Sequence, residues 1–434
     1  MIFSLDIRRA RKGDCLLLHF GSAASPGLVM IDGGPKSVYS PHLKPRLLEV
    51  REARGLDAHS PLPVDLLMVS HVDDDHIQGI LDLTRELREA PGVPFVRIRR
   101  LWHNSFDEII GKDPKELTGK VAAQFGSASL TGDLPDDATV DADTDEDEEV
   151  VVSTIKVLAS IAQGHGLRLD AEALNIPLNP EFDGKLILAA KGEVALTKGL
   201  TFTVAGPMQP ELQALQEKHD EWLKELKAKG TTPAEALAAY VDKSVPNLSS
   251  VVVLARAGGK TMLLTGDARG DKILEGLELA GELKTGQTLH VDLLKVPHHG
   301  SSNNLARAFF ERITADHYVF SGNGEHGNPE REALKMLFDA RGTAPFAIHF
   351  TYPIDEIDVE RKKDWEKEQV KERAKNKKRK DEGKPPKPVR DDWSPGRHSL
   401  AAFFEKHPLA SGQTRQIVPA TRPSVVDLLD PLGF

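Results

Sequence analysis

Apolar runs recur along the chain, and most of them stop at an Asp, a His or a Gly. "CLLLHF" (15–20) and "GLVMIDGG" (27–34) predict two strands joined by the small-residue turn "GSAASP". "VDLLMVS" (64–70) reads as a buried strand, and from Ile77 to Glu89 the apolar positions of "IQGILDLTRELRE" return at helical spacing. "VRIRRLWHN" (96–104) and "LTFTVAGP" (200–207) predict strands, with a helix expected near 151–164 and an exposed one over Pro210–Lys229. A second series follows: "SSVVVLARAGGKTMLLTGDA" (249–268), "VDLLKVPHHGSS" (291–302), "ADHYVFSGNG" (315–324) and "PFAIHFTY" (345–352). Strands alternate with helices in both halves, and polar residues gather at strand ends, where open α/β sheets build their sites. No short repeat and no sustained heptad is visible.

Composition narrows the class. The 434 residues are 40% hydrophobic and 28% charged, which suits a soluble globular chain with a sizeable core. No apolar run reaches the ~20 residues that span a bilayer, and "MIFSLDIRRARKGD" does not read as a signal peptide. The single cysteine, Cys15, excludes an internal disulfide framework and fits a reducing compartment, so a cytoplasmic location and no membrane partner are expected. The net charge of −10 is matched by one stretch: residues 132–149 carry ten acidic residues and no basic one. That stretch reads as a disordered insertion. The run Arg361–Arg390 has fourteen Lys or Arg against six Asp or Glu, and reads either as a phosphate-contacting surface or as a solvated helix followed by the loop "GKPPKPVR".

The densest chemistry lies in "SHVDDDHIQG" (70–79), where three aspartates stand between two histidines. Like charges beside the apolar run "LLMV" are costly to bury unless a cation compensates them. His71, Asp73, Asp75 and His76 offer neutral nitrogen and anionic oxygen, a donor set that suits Zn²⁺ or Mn²⁺. Further ligands are expected from two other strand ends, Asp267 in "LLTGDA" and the pair His298 and His299 in "LLKVPHHGSS".

These motifs, in this order, resemble the metallo-β-lactamase family. The stretch His71-Val-Asp73-Asp-Asp75-His76, with aspartate where most members carry a second histidine, together with "TGDA" and "KVPHHGSS", is similar to the soluble nuclease-like domain of ComEC-type DNA-uptake proteins. The resemblance spans residues 12 to about 330. It implies an α/β chain forming a four-layer αββα sandwich with two divalent metal ions, Zn or Mn. It assigns His71 and Asp73 to the first metal, Asp75 and His76 to the second, and Asp267 to both. One of His298 and His299 would complete the second site, with His298 preferred, and Asp32 would brace the metal loop. Where many relatives have another histidine, this chain reads "VPNLSSVVVL", with Asn247 and Ser249, which leaves the first metal short of a protein ligand.

The implied activity is hydrolysis by a metal-bound hydroxide that Asp75 orients. Lys295, Ser301 and Ser302 are candidate phosphate contacts, with a buried stem whose charge merely snorkels as the competing reading of Lys295. His103 and His326 are either loop histidines or substrate contacts, and Asp74 is expected to face solvent. A phosphodiesterase or nuclease acting on nucleic acid or a nucleotide leads. Hydrolysis of a small ester or lactone, or partner binding through a vestigial site, are the alternatives. Residues 1–355 are expected to form the catalytic domain, and 356–434 a charged embellishment packed on it.

Overall fold

The computed structural model describes residues 1–105, 163–213 and 249–434, apart from positions 58, 91, 211 and 418–421. The acidic stretch 132–149, Asn247, and most of the helices expected near 151–164 and over Pro210–Lys229 lie outside the described residues.

The first half contributes β1 (Ile2–Ile7), β2 (Leu16–Ser22), β3 (Ser25–Ile31), α1 (Lys44–Ala53), β4 (Leu62–Val64), β5 (Leu66–Met68), α2 (Asp74–Glu89), β6 (Val96–Ile98) and β7 (Leu101–Trp102). The second contributes β8 (Val194–Ala195), β9 (Thr201–Gly206), β10 (Val252–Ala257), β11 (Lys260–Leu264), α3 (Gly270–Ala280), β12 (Leu289–Lys295), α4 (Arg307–Arg312), β13 (Ile313–Phe320), α5 (Arg331–Arg341) and β14 (Phe346–Phe350). α6 (Ile354–Asp381), α7 (Leu400–Lys406), β15 (Gln413–Ile417) and β16 (Ser424–Asp427) follow. The chain is α/β, with a six-stranded sheet in the order β16-β1-β2-β3-β5-β7 and an eight-stranded sheet running from β15 through β14 to β8.

Side-chain alternation decides the layering. Phe3, Leu5, Leu18, Phe20 and Val29 of the first sheet share one apolar cluster with Phe202, Val253, Met262 and Leu293 of the second, so the two sheets face each other. The opposite faces are covered by helices. Leu17, Met30 and Leu67 pack with Leu47 of α1 and with Ile77, Ile80 and Leu83 of α2. Leu263, Leu294 and Tyr318 pack with Ile273 of α3, Phe310 of α4 and Leu337 of α5. Sheets buried on both faces explain the nearly continuous apolar runs in the sequence.

Two regions differ from expectation. "VRIRRLWHN" is not one strand: β6 pairs with β4 in a separate two-stranded ribbon, while β7 joins β5 in the main sheet, with Arg99 and Arg100 at the break. Residues beyond 356 are more than an embellishment, since β15 extends the second sheet beside β14 and β16 closes the edge of the first beside β1. The basic run is helical from Arg361 to Asp381, and α6 anchors through Ile354, Ile357, Arg361 and Gln369. No described helix is long and apolar enough to cross a membrane.

Candidate metal centre

The loop between β5 and α2 carries the acidic run. Asp73 stands at the N-cap of α2, yet its side chain makes no capping hydrogen bond. Its Oδ2 faces His71 Nε2 at 3.6 Å instead. Asp74 and Asp75 occupy the first helical turn, where the helix dipole favours anions. Asp74 is half-buried and accepts a hydrogen bond from Gln163 Nε2 at 3.0 Å, so it is held against the neighbouring helical segment rather than simply solvated.

Asp32, after β3, ties this loop to the sheet. Its carboxylate accepts from the Ser70 backbone N–H at 2.7 Å and the Ser70 hydroxyl at 2.6 Å, and lies 2.8 Å from His76 Nδ1. A proton on Nδ1 then leaves His76 Nε2 with its lone pair turned inward. Glycines permit the approach. A Cβ on Gly79 would stand 2.0 Å from the Gly33 carbonyl oxygen, and one on Gly13 would stand 1.8 Å from that of Asp75.

Asp267 follows β11 and sits at the middle of the cluster, 3% exposed. Its Oδ1 lies 3.4 Å from His76 Nε2 and 3.3 Å from His299 Nε2. Its Oδ2 lies 3.9 Å from His71 Nε2 and 3.6 Å from His298 Nε2. His298 and His299 follow β12 with φ of +48° and +53°, a left-handed conformation that side chains with a Cβ rarely adopt. The structure thus brings His71, Asp73, Asp75, His76, Asp267, His298 and His299 to one place, with both histidines of the pair reaching Asp267.

Five of the atoms turned into this cluster are buried without a hydrogen-bond partner: Nε2 of His71, His76 and His299, and Oδ1 of Asp267 and Asp14. Orphaned buried polar atoms are costly. The charges point the same way. Burial raises the Asp267 carboxyl, but His299, His76 and His298 outweigh it and hold it well below the ordinary carboxylate range. Burial lowers His299, yet Asp267 and Asp14 push it up to about 9; Asp267 and Asp32 likewise raise His76. Asp75 is lowered: burial and Asp267 raise it, but His76, His299 and Lys12 outweigh them. The anions therefore draw protons onto imidazoles that a metal ion would occupy in their place, and the nitrogen and oxygen donors fit a divalent cation.

Sequence reasoning missed Asp14, which precedes β2. Asp14, His76, Asp267 and His299 present ligand atoms within 4.8 Å of one another, all buried. Its signal was a lone carboxylate abutting the apolar run "CLLLHF", with no second motif residue beside it. Ser321 was missed too, and its hydroxyl lies 2.9 Å from His299 Nδ1.

Lys295 corrects the reading of it as a phosphate contact. Its side chain is fully buried, and its ammonium pairs with Asp14 Oδ2 at 2.6 Å and donates to the Val296 carbonyl at 3.2 Å. Neither a substrate nor solvent reaches it, so the snorkelling alternative fails as well. Ser302 donates its hydroxyl and its backbone N–H to Glu330. Ser301 and Ser249 are buried. His103 is buried and its backbone is clasped by the Asn179 amide. His326 is exposed at φ +55° in the short turn Glu325–Gly327, a turn that Arg361 of α6 holds through the Gly327 and Pro329 carbonyls.

No protein-family model matches the chain, and no curated protein matches it. Among solved structures, one from Parabacteroides distasonis, provisionally described as a metal-dependent hydrolase, aligns with 80% of this chain and 98% of its own at 8% identity. The TM-score is 0.31, a likeness too slight to carry an argument.

Proposed function

We propose that this protein is a metal-dependent hydrolase of phosphodiesters, a nuclease or phosphodiesterase on an αββα scaffold of the metallo-β-lactamase type. One observation carries the reading: three bare histidine Nε2 atoms surround the carboxylate of Asp267 in a buried, strongly anionic cluster. His71, His76, His298, His299 and Asp267 would hold the ions, with Asp73 and Asp75 at the open side. Bound there, Zn²⁺ or Mn²⁺ supplies Lewis acidity and an acidified water.

The chain's own groups set the rest. Asp32 fixes the His76 tautomer, and Ser321 and Asp14 face His299 Nδ1. Asp75 is held below the ordinary carboxylate range beside the cluster, so it would act as an acceptor that orients a water rather than as a strong base. Lys12 lies close enough to help lower Asp75. The nucleic-acid reading draws further support from the basic helix α6, whose Arg361 grips the turn holding His326 and whose last turns carry Lys375, Lys377, Lys378, Arg379 and Lys380.

The test is elemental analysis of the purified protein, followed by assays with bis-p-nitrophenyl phosphate, linear DNA, RNA and cyclic dinucleotides. Metal-dependent turnover is expected, falling at least ~100-fold in Asp267→Asn, whose neutral amide cannot bridge cations. Hydrolysis of a lactone or small ester with no phosphodiester turned over would transfer the site to that substrate class. Protein that takes up neither Zn²⁺ nor Mn²⁺ would remove the proposal altogether.

A further inference from the structure

We infer that both of the paired histidines are ligands, divided between the two oxygens of Asp267 as two half-sites. His299 joins His76 on Oδ1, while His298 joins His71 on Oδ2. This rests on the metal-centre reading above and departs from the expectation that only one of the pair ligates, alongside Asp75 and His76.

The distances sort the ligands. Both contacts to Oδ1, at 3.4 and 3.3 Å, come from His76 and His299, and both to Oδ2, at 3.9 and 3.6 Å, from His71 and His298. The backbone supports the division. If only one imidazole were needed, one left-handed residue would suffice, but His298 and His299 are both held at positive φ, which turns two successive side chains toward the same carboxylate. The His298 backbone N–H donates to the Gly266 carbonyl at 3.1 Å, which ties this turn to the residue before Asp267. His298 thereby supplies a fourth protein ligand, after His71, Asp73 and Asp267, to the half-site that the motif pattern leaves one short.

The half-sites are unequal. On Oδ1 the ligands are buried and compact, with Asp14 beside them. On Oδ2 the side chains of His298 and Asp73 are 28% and 30% exposed, and the contacts are longer. The first ion should therefore bind tightly at Oδ1. The second should bind more weakly at Oδ2, on the side open to solvent.

Calorimetric titration of metal-stripped protein with Zn²⁺, paired with Co²⁺ absorption spectra, tests this without an activity assay. The variants are His298→Gly and His299→Gly, since glycine accepts positive φ and removes the imidazole with little backbone strain. Wild type should bind two ions, one tight and one at least ~10-fold weaker. His298→Gly and His71→Ala should each keep the tight ion and weaken the second at least ~10-fold. His299→Gly and His76→Ala should each lose the tight step. The division is overturned if His298→Gly binds both ions with wild-type affinity, or if His298→Gly and His71→Ala affect different ions. Wild type that binds no divalent ion overturns the metal centre itself, an outcome distinct from a misassigned histidine in a protein that still binds metal.

Discussion

Replacing Lys295 by Met isolates the buried pair beneath the centre. The Lys295 ammonium and the Asp14 carboxylate are 2.6 Å apart, with side chains 1% and 2% exposed. At an effective dielectric constant near 20, two unit charges at that separation attract by about 6 kcal/mol before desolvation is subtracted. Removing one partner leaves Asp14 buried beside Asp267 with only His299, 3.5 Å away, to offset it, and truncations of that kind cost about 3–5 kcal/mol. The carboxylate is committed to its ionised form: burial raises its pKa, but Lys295 and His299 carry it far below the ordinary range. Urea unfolding in the presence of a chelator, which removes metal linkage, should therefore show Lys295→Met losing about 3–5 kcal/mol. The double variant Asp14→Leu/Lys295→Met should recover at least ~2 kcal/mol of the summed losses, because a buried pair exchanged for apolar groups of similar size is often near neutral. If Lys295→Met unfolds within ~1 kcal/mol of wild type and instead raises KM for a phosphodiester, the buried-pair reasoning is wrong and Lys295 contacts substrate.

Two further predictions follow from single residues. Gly79→Ala should destabilise by about 1–3 kcal/mol and weaken metal binding at least ~10-fold, because its Cβ would meet the Gly33 carbonyl oxygen at 2.0 Å and push the Asp32 loop from His76. Gly166→Ala, with nothing within 4 Å and a helical setting, is the control and should be neutral or slightly stabilising in the same melts. Asp6 accepts from Arg8 at 2.8 Å and Arg46 at 2.7 Å, and although burial opposes it, His19 and both arginines bring its pKa from 3.8 down to about 2. A depressed folded pKa contributes stability above the unfolded value, here roughly 2 kcal/mol, and that contribution disappears as pH falls from about 4 to about 2. The stability gap between wild type and Asp6→Asn should accordingly narrow across that window, and a gap independent of pH would exclude the charge-based account.

What the sequence determined by itself is local. Runs such as "LLLHF" and "VVVLA" identify buried strands because adjacent residues share one environment, and "IQGILDLTRELRE" identifies α2 by its own period. The chemistry of His71 to His76 was legible for the same reason, since several donors stand within six residues. Tertiary structure decided whatever depends on an opposite face. β15 is short and polar and β16 only four residues long, and they became strands because β14 and β1 offered unpaired edges. Asp14 and Lys295 are 281 residues apart in sequence, and nothing in "KGDC" or "LLKV" tells a paired lysine from a snorkelling one. The division of His298 and His299 between the oxygens of Asp267 arises from two left-handed residues anchored to Gly266, which a hydrophobic pattern does not encode. Periodicity reports which side of an element is buried; only the packed layers determine which charge it meets there.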